Sequence, residues 1–109
     1  ADRTFVDKLR QYVDAHISDC SLSISDISTE MCMSRASFFR KIKSLTGVTP
    51  NNFILIYRLN KAAAMIRSRE YRLNEIADLV GFSSQSHFSR CFKQHFGMAP
   101  KDYIYHGGG

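Results

Sequence analysis

The chain has 109 residues, 44% of them apolar, and a formal net charge of +5. That length holds one ordinary domain or two small lobes that must share structure, because a lobe of about fifty residues buries too little surface to stand alone. No stretch approaches the roughly 18 uninterrupted apolar residues of a membrane span, and the start Ala1-Asp2-Arg3-Thr4-Phe5 carries no signal-peptide pattern. Cys20, Cys32 and Cys91, an odd count without CxxC or Cys/His ligand spacing, read as reduced thiols in a cytoplasm.

Phe5, Leu9, Tyr12, Val13 and Ile17 recur at helical spacing and predict a first helix over about 4–18. Ser23, with Asp26 three residues on, caps a short second helix that runs to about Cys32. Ser34 caps a third, with Phe38, Ile42 and Leu45 on one face and Gly47 at its stop. Thr49-Pro50 then opens a long helix to about Arg67. Its residues Phe53, Ile54, Leu55, Ile56, Tyr57, Leu59, Ala62, Ala63, Ala64, Met65 and Ile66 are apolar on nearly every side, which predicts a strut buried between two lobes. A polar connection at 69–72 leads to a short helix at about 73–80, a turn at Gly81–Ser83, a longer helix at 84–96 stopped by Gly97, and a last helix from Pro100 through Ile104. His106-Gly107-Gly108-Gly109 is expected to fray. No segment alternates like a strand, so the fold is expected to be all-α: seven helices forming two subdomains, residues 1–48 and 69–109, joined by a linker helix over 49–68.

The two halves repeat. Ser34, Phe38, Arg40, Lys43, Gly47, Pro50 and Ile54 recur fifty positions on as Ser84, Phe88, Arg90, Lys93, Gly97, Pro100 and Ile104, and the chain has no other proline. Upstream the match slips by one, so that Ile24, Ile27 and Met31 answer to Leu73, Ile76 and Val80. Charge is sorted along the same units. Between Met31 and Arg69 there is no acid, but Arg35, Arg40, Lys41, Lys43, Arg58, Lys61, Arg67 and Arg69 are all present. A second acid-free run, Leu79 to Lys101, carries Arg90, Lys93 and Lys101. Sorting by segment builds a positive surface suited to a polyanion.

A short helix, a turn and a longer basic helix is the helix-turn-helix plan, whose second helix fits the DNA major groove. At 100° per residue, Phe38, Ile42 and Leu45 face inward, with Ala36, Arg40 and Lys43 opposite and Ser37 and Phe39 on the flanks. In the second copy Phe88, Phe92 and His95 face inward, with Ser86, Arg90 and Lys93 opposite and His87 and Ser89 on the flanks. Arg40 and Arg90 have the planar fork that takes guanine O6 and N7 or clamps a phosphate. Lys43 and Lys93 suit backbone phosphates. Ser34, Arg35, Ser37, Ser84, Gln85 and Ser86 lie near the helix starts, where phosphate oxygens or base edges come within reach, and Gln85 has the amide to pair with adenine. Ala36 and Phe39 suit a thymine methyl, although Phe39 also suits packing against the long helix. Arg58 and Lys61 on the strut are expected to form an ion pair or to touch DNA. His16, His95 and His106 have no neighbour at ligand spacing and are assigned to structure or solvent. No cofactor or metal is expected.

The block Gly81-Phe82-Ser83-Ser84-Gln85-Ser86-His87-Phe88-Ser89-Arg90-Cys91-Phe92-Lys93-Gln94-His95-Phe96-Gly97-Met98-Ala99-Pro100-Lys101-Asp102-Tyr103, with Ile76-Ala77 before it, resembles the signature of AraC/XylS-type transcription regulators. The resemblance covers about residues 5–105. It implies two helix-turn-helix motifs joined by a linker helix, acting on promoter DNA with no membrane contact, RNA polymerase as a further candidate partner, and a monomeric isolated domain. Met98-Ala99 departs from the family's usual small-Thr pair. Cys32-Met33 stands where the first motif often has a Gly-aromatic turn. The run from Met33 to Pro50 also resembles the output domains of Bacteroides-type hybrid two-component sensors.

The function expected is therefore sequence-specific binding of duplex DNA, at asymmetric or direct-repeat sites one helical turn apart, by the output fragment of a larger cytoplasmic regulator. A protein-interaction module built on the same units is the alternative. An enzyme is disfavoured by the lack of a nucleophile-base pair, metal cluster or phosphate loop, and RNA binding by the lack of a stacking sheet.

Overall fold

The computed structural model describes residues 2–106, and among these it contains seven helices and no strand. They are α1 (Asp2–Ala15), α2 (Ile24–Glu30), α3 (Arg35–Thr46), α4 (Pro50–Ser68), α5 (Leu73–Leu79), α6 (Gln85–Phe96) and α7 (Pro100–His106). The chain forms two compact units, one of residues 1–17 and 21–55 and the other of 18–20 and 56–109. In the first, α2 packs on α1 and α3; in the second, α6 packs on α5 and α7.

Local chemistry sets most of the boundaries. Ser23 and Asp26 form a reciprocal capping box at the start of α2, with Asp26 N–H donating to Ser23 Oγ at 3.1 Å and Ser23 N–H to Asp26 Oδ2 at 3.3 Å. The Ser34, Thr49 and Ser84 hydroxyls accept from the N–H groups of Ser37, Asn52 and His87, satisfying donors that a helix start otherwise leaves without a partner. Helices α3 and α6 end at Gly47 and Gly97, which sit in the left-handed region at φ 79° and 81°. Their N–H groups return to the Lys43 and Lys93 carbonyls.

The turns between the helices of each motif superimpose bond for bond once the one-residue slip is allowed. In the first, Cys32 N–H donates to the Thr29 carbonyl at 3.0 Å and Met33 N–H to the Ser28 carbonyl at 2.9 Å. In the second, Gly81 N–H donates to Asp78 at 3.1 Å and Phe82 N–H to Ala77 at 2.9 Å. Both Cys32 and Gly81 have positive φ, 59° and 90°. The missing Gly-aromatic pair thus leaves the first turn's form intact, but it places a residue with a Cβ where glycine is at ease.

The core of the first unit holds Leu9, Val13, Ile17, Ile27, Met31, Phe38, Ile42 and Ile54; that of the second holds Leu59, Ala62, Ala63, Ile66, Ile76, Ala77, Val80, Phe82, Phe88 and Phe92. In the second unit Phe82, Phe88, Phe92, Phe96 and Tyr103 form a chain of ring contacts with centroids 4.5–5.7 Å apart, the tilted and edge-on spacings that aromatic pairs prefer.

Several expectations are corrected. Helix α1 stops at Ala15, since Ile17 is buried from the turn that follows the helix. Leu45 is 38% exposed and His95 is exposed; both lie in the last turn of their helices, where the inward face has run past the core. Helix α4 is not buried all round, because Asn60, Lys61, Ala64 and Arg67 are exposed along one side and the small Ala64 masks that side in an apolar count. Helix α7 continues to His106, and the rest of the tail expected to fray, 107–109, lies outside the described residues.

Cys32→Gly is expected to stabilise the chain by roughly 0.5–1 kcal/mol, the relief of a left-handed side chain less the entropy of a glycine. Urea unfolding followed by circular dichroism measures it, and Cys32→Ala should bring no such gain.

Candidate nucleic-acid interface

On α3, Phe38 and Ile42 are each 1% exposed, and this burial turns Ala36, Arg40 and Lys43 to solvent. Arg35, Phe39 and Ser44 are exposed beside them, and Ser37 is half-buried. Arg40 Nη2 donates weakly to Ser37 Oγ at 3.5 Å, which lays the guanidinium back along the helix toward its start. Ser34 is exposed; its oxygen accepts the cap bond, leaving its hydroxyl proton for an outside acceptor. Phe39, 46% exposed, lines a cleft with Ile24, Arg35, Ala36, Pro50 and Asn51.

Helix α6 repeats the arrangement. Phe88 and Phe92 are buried, and Ser86, Ser89, Arg90 and Lys93 are exposed. Ser84 caps the helix, and the exposed His87 ring meets Phe82 at 5.4 Å in an edge-on contact. Gln85 is committed within the protein, its Nε2 donating to the Asn74 carbonyl of α5 at 2.7 Å. Each helix has an open depression of its own, lined in part by equivalent residues. In the first copy Met33, Ser37, Arg40, Lys41, Ser44 and Leu45 line it; in the second, His87, Arg90, Cys91, Lys93 and Gln94. Every basic residue expected at the helix faces is therefore outward, and neither α3 nor α6 contains an acid.

Among the described residues no group of three or more His, Cys, Asp or Glu side chains is placed to hold a metal ion, and no helix is long and apolar enough to cross a membrane.

A family model described as a helix-turn-helix domain matches residues 27–105. The fold also aligns with a solved transcriptional regulator of AraC-type DNA-binding-domain proteins from Chromobacterium violaceum, at a TM-score of 0.85 and 27% identity over 94% of this chain and 91% of that one. The chain belongs to the AraC-type helix-turn-helix family. It is 35% identical over 92 residues to the probable transcriptional regulator LumQ of Photobacterium leiognathi, a match that covers 84% of this chain and 37% of LumQ. It is 32% identical over 102 residues to histidine kinase P4 of Formosa agariphila, 94% of this chain but 7% of the kinase. The AraC-type domain thus spans only a minor part of these curated relatives.

One half-buried cation of this AraC-type domain is turned to the protein's own backbone. Arg58 on α4 donates from Nη2 to the Asp19 carbonyl at 2.9 Å and from Nη1 to the Gly81 carbonyl at 3.2 Å. Both of these bonds go to backbone carbonyls. Burial lowers its pKa from the ordinary arginine value, against the opposing pull of Cys20 and Asp19. Its Nε is buried with no hydrogen-bond partner among the described residues. No sequence signal marks this role, because the acceptors are carbonyls brought near only by folding.

Arg58→Lys should cost about 1–2 kcal/mol in thermal unfolding, since a single ammonium replaces a two-armed fork and leaves one carbonyl unmatched. A stability equal to the parent's would show that the two bonds contribute nothing.

Proposed function

We propose that this AraC-type domain is the sequence-specific, duplex-DNA-binding output module of a larger transcription regulator, placing α3 and α6 in successive major-groove segments. The observation that carries the reading is the outward stripe of each helix, Ala36/Arg40/Lys43 and Ser86/Arg90/Lys93, exposed and basic at the same two positions in both copies. Arg40 and Arg90 are assigned to base edges, and Lys43 and Lys93 to phosphates. Ser34, Arg35, Ser37, Ser84, Ser86, His87 and Ser89 are assigned to the backbone or groove edge near the helix starts, and Ala36 and Phe39 to apolar contact with thymine. Two copies in one chain favour an asymmetric or direct-repeat site with half-sites about 10.5 base pairs apart. The domain has no catalytic role in this reading. It works in the cytoplasm as a monomeric unit, and the proteins it meets at a promoter include RNA polymerase. The likeness to histidine kinase P4 supports placing it at the output end of a hybrid two-component sensor.

Arg40→Ala or Arg90→Ala should cost about 1–3 kcal/mol on the preferred site and relax base preference within its own half-site. Lys43→Ala or Lys93→Ala should weaken binding to all duplexes alike and reduce the salt slope by about one unit. Fluorescence anisotropy over a salt series on preferred and random duplexes separates the two. Equal losses on both duplexes for the arginine variants would refute base reading by them. Binding to a protein partner with none to DNA would favour the interaction-module alternative.

A further inference from the structure

The two motifs differ in how one backbone carbonyl near the start of the first helix is occupied. With the one-residue slip, Ser25 corresponds to Asn74 and Ser28 to Ala77, while Arg35 corresponds to Gln85. In the first motif the Ser28 hydroxyl, on a residue 2% exposed, donates to the Ser25 carbonyl at 3.1 Å, a bond made wholly within α2. In the second motif Ala77 has no hydroxyl, and the Asn74 carbonyl instead accepts from Gln85 Nε2, reaching across from α6 at 2.7 Å. The caps differ in the same sense. Helix α2 starts on a capping box, whereas α5 starts at Arg72 with no side-chain cap. A seven-residue helix has little stability of its own, so α5 depends on the bond from its neighbour more than α2 does.

We infer that Gln85 is a positioning residue, which fixes the start of the second recognition helix to α5, and that the matching place in the first motif, Arg35, is released for DNA by the serine at position 28. The inference rests on the DNA-binding reading and revises one part of it, because a glutamine near a recognition-helix start would otherwise be assigned to adenine. An amide held at 2.7 Å by the protein must break or share that bond to read a base edge. Arg35 is exposed and lies at the α3 start, where a guanidinium meets phosphate. The motifs therefore divide the work differently. The first gains a cation at the groove edge, and the second gains a tie between its two helices.

The test uses the full 109-residue chain, duplexes selected from a random pool, and hydrogen exchange at the α5 amides. Gln85→Ala should speed exchange at Ile76, Ala77 and Val80 and weaken binding about threefold to tenfold, the size of one hydrogen bond. It should do so with the base preference at every position of the second half-site unchanged. Adding Ala77→Ser, which rebuilds the bond seen at Ser28, should restore both exchange and affinity. Arg35→Gln should weaken all sequences alike and lower the salt slope. Loss of discrimination at a single base pair in Gln85→Ala would overturn the positioning role, and that profile decides the matter even if the added serine does not pack. Failure of a folded double variant to recover would overturn it as well. A parent chain that enriches no sequence would instead overturn the DNA reading on which the inference rests.

Discussion

Everything outward about the two recognition helices depends on a phenylalanine four residues after each cap. Phe38 and Phe88 are each 1% exposed and anchor α3 and α6 in the cores of their units. A helix has only one degree of freedom about its own axis, so burying these rings, with Ile42 and Phe92 one turn on, fixes which residues face solvent. Arg40 and Lys43 on one helix, and Arg90 and Lys93 on the other, are exposed as a consequence. The caps act in concert, because Ser34 and Ser84 set where each helix begins and therefore how far the first turn projects. Truncating either ring would cost about 3–5 kcal/mol, a large share of the stability of a small unit.

The copies share that frame and diverge in what supports it. The second unit carries a chain of tilted and edge-on rings and begins α5 without a side-chain cap. The first caps α2 fully and accepts a left-handed cysteine in its turn. Arg58 adds a constraint of another kind, holding the turn at Gly81 and the segment at Asp19 with one guanidinium inside the second unit. Such a cation is withdrawn from the positive surface even though it lies in an acid-free run of sequence. Net charge by segment therefore overstates the charge available to a polyanion.

Seven helices, the caps at Ser23, Ser34 and Thr49, and the stops at Gly47 and Gly97 were legible because each rests on interactions within a few residues. The outward positions on α3 and α6 were legible for the same reason, since helical periodicity needs no tertiary knowledge. Leu45 and His95 were misjudged because periodicity alone does not say where a core ends. Helix α4 was misjudged because alanine at position 64 is equally at home in solvent. The bonds that Arg58 and Gln85 make within the protein were out of reach. Their acceptors, the carbonyls of Asp19, Gly81 and Asn74, carry no side-chain signature and lie 39, 23 and 11 residues away along the chain. The exchange of Ser28 for Ala77 was visible in the repeat, but only the bonds give it meaning.

In the proposed function, two linked helices of unlike groove-facing residues read one duplex. Selection of bound sites from a random duplex pool by the intact chain tests it most directly. Two distinct sequence motifs are expected, in fixed orientation, with centres about 10.5 base pairs apart. No enrichment over the starting pool, or a single symmetric motif of identical halves, would contradict it.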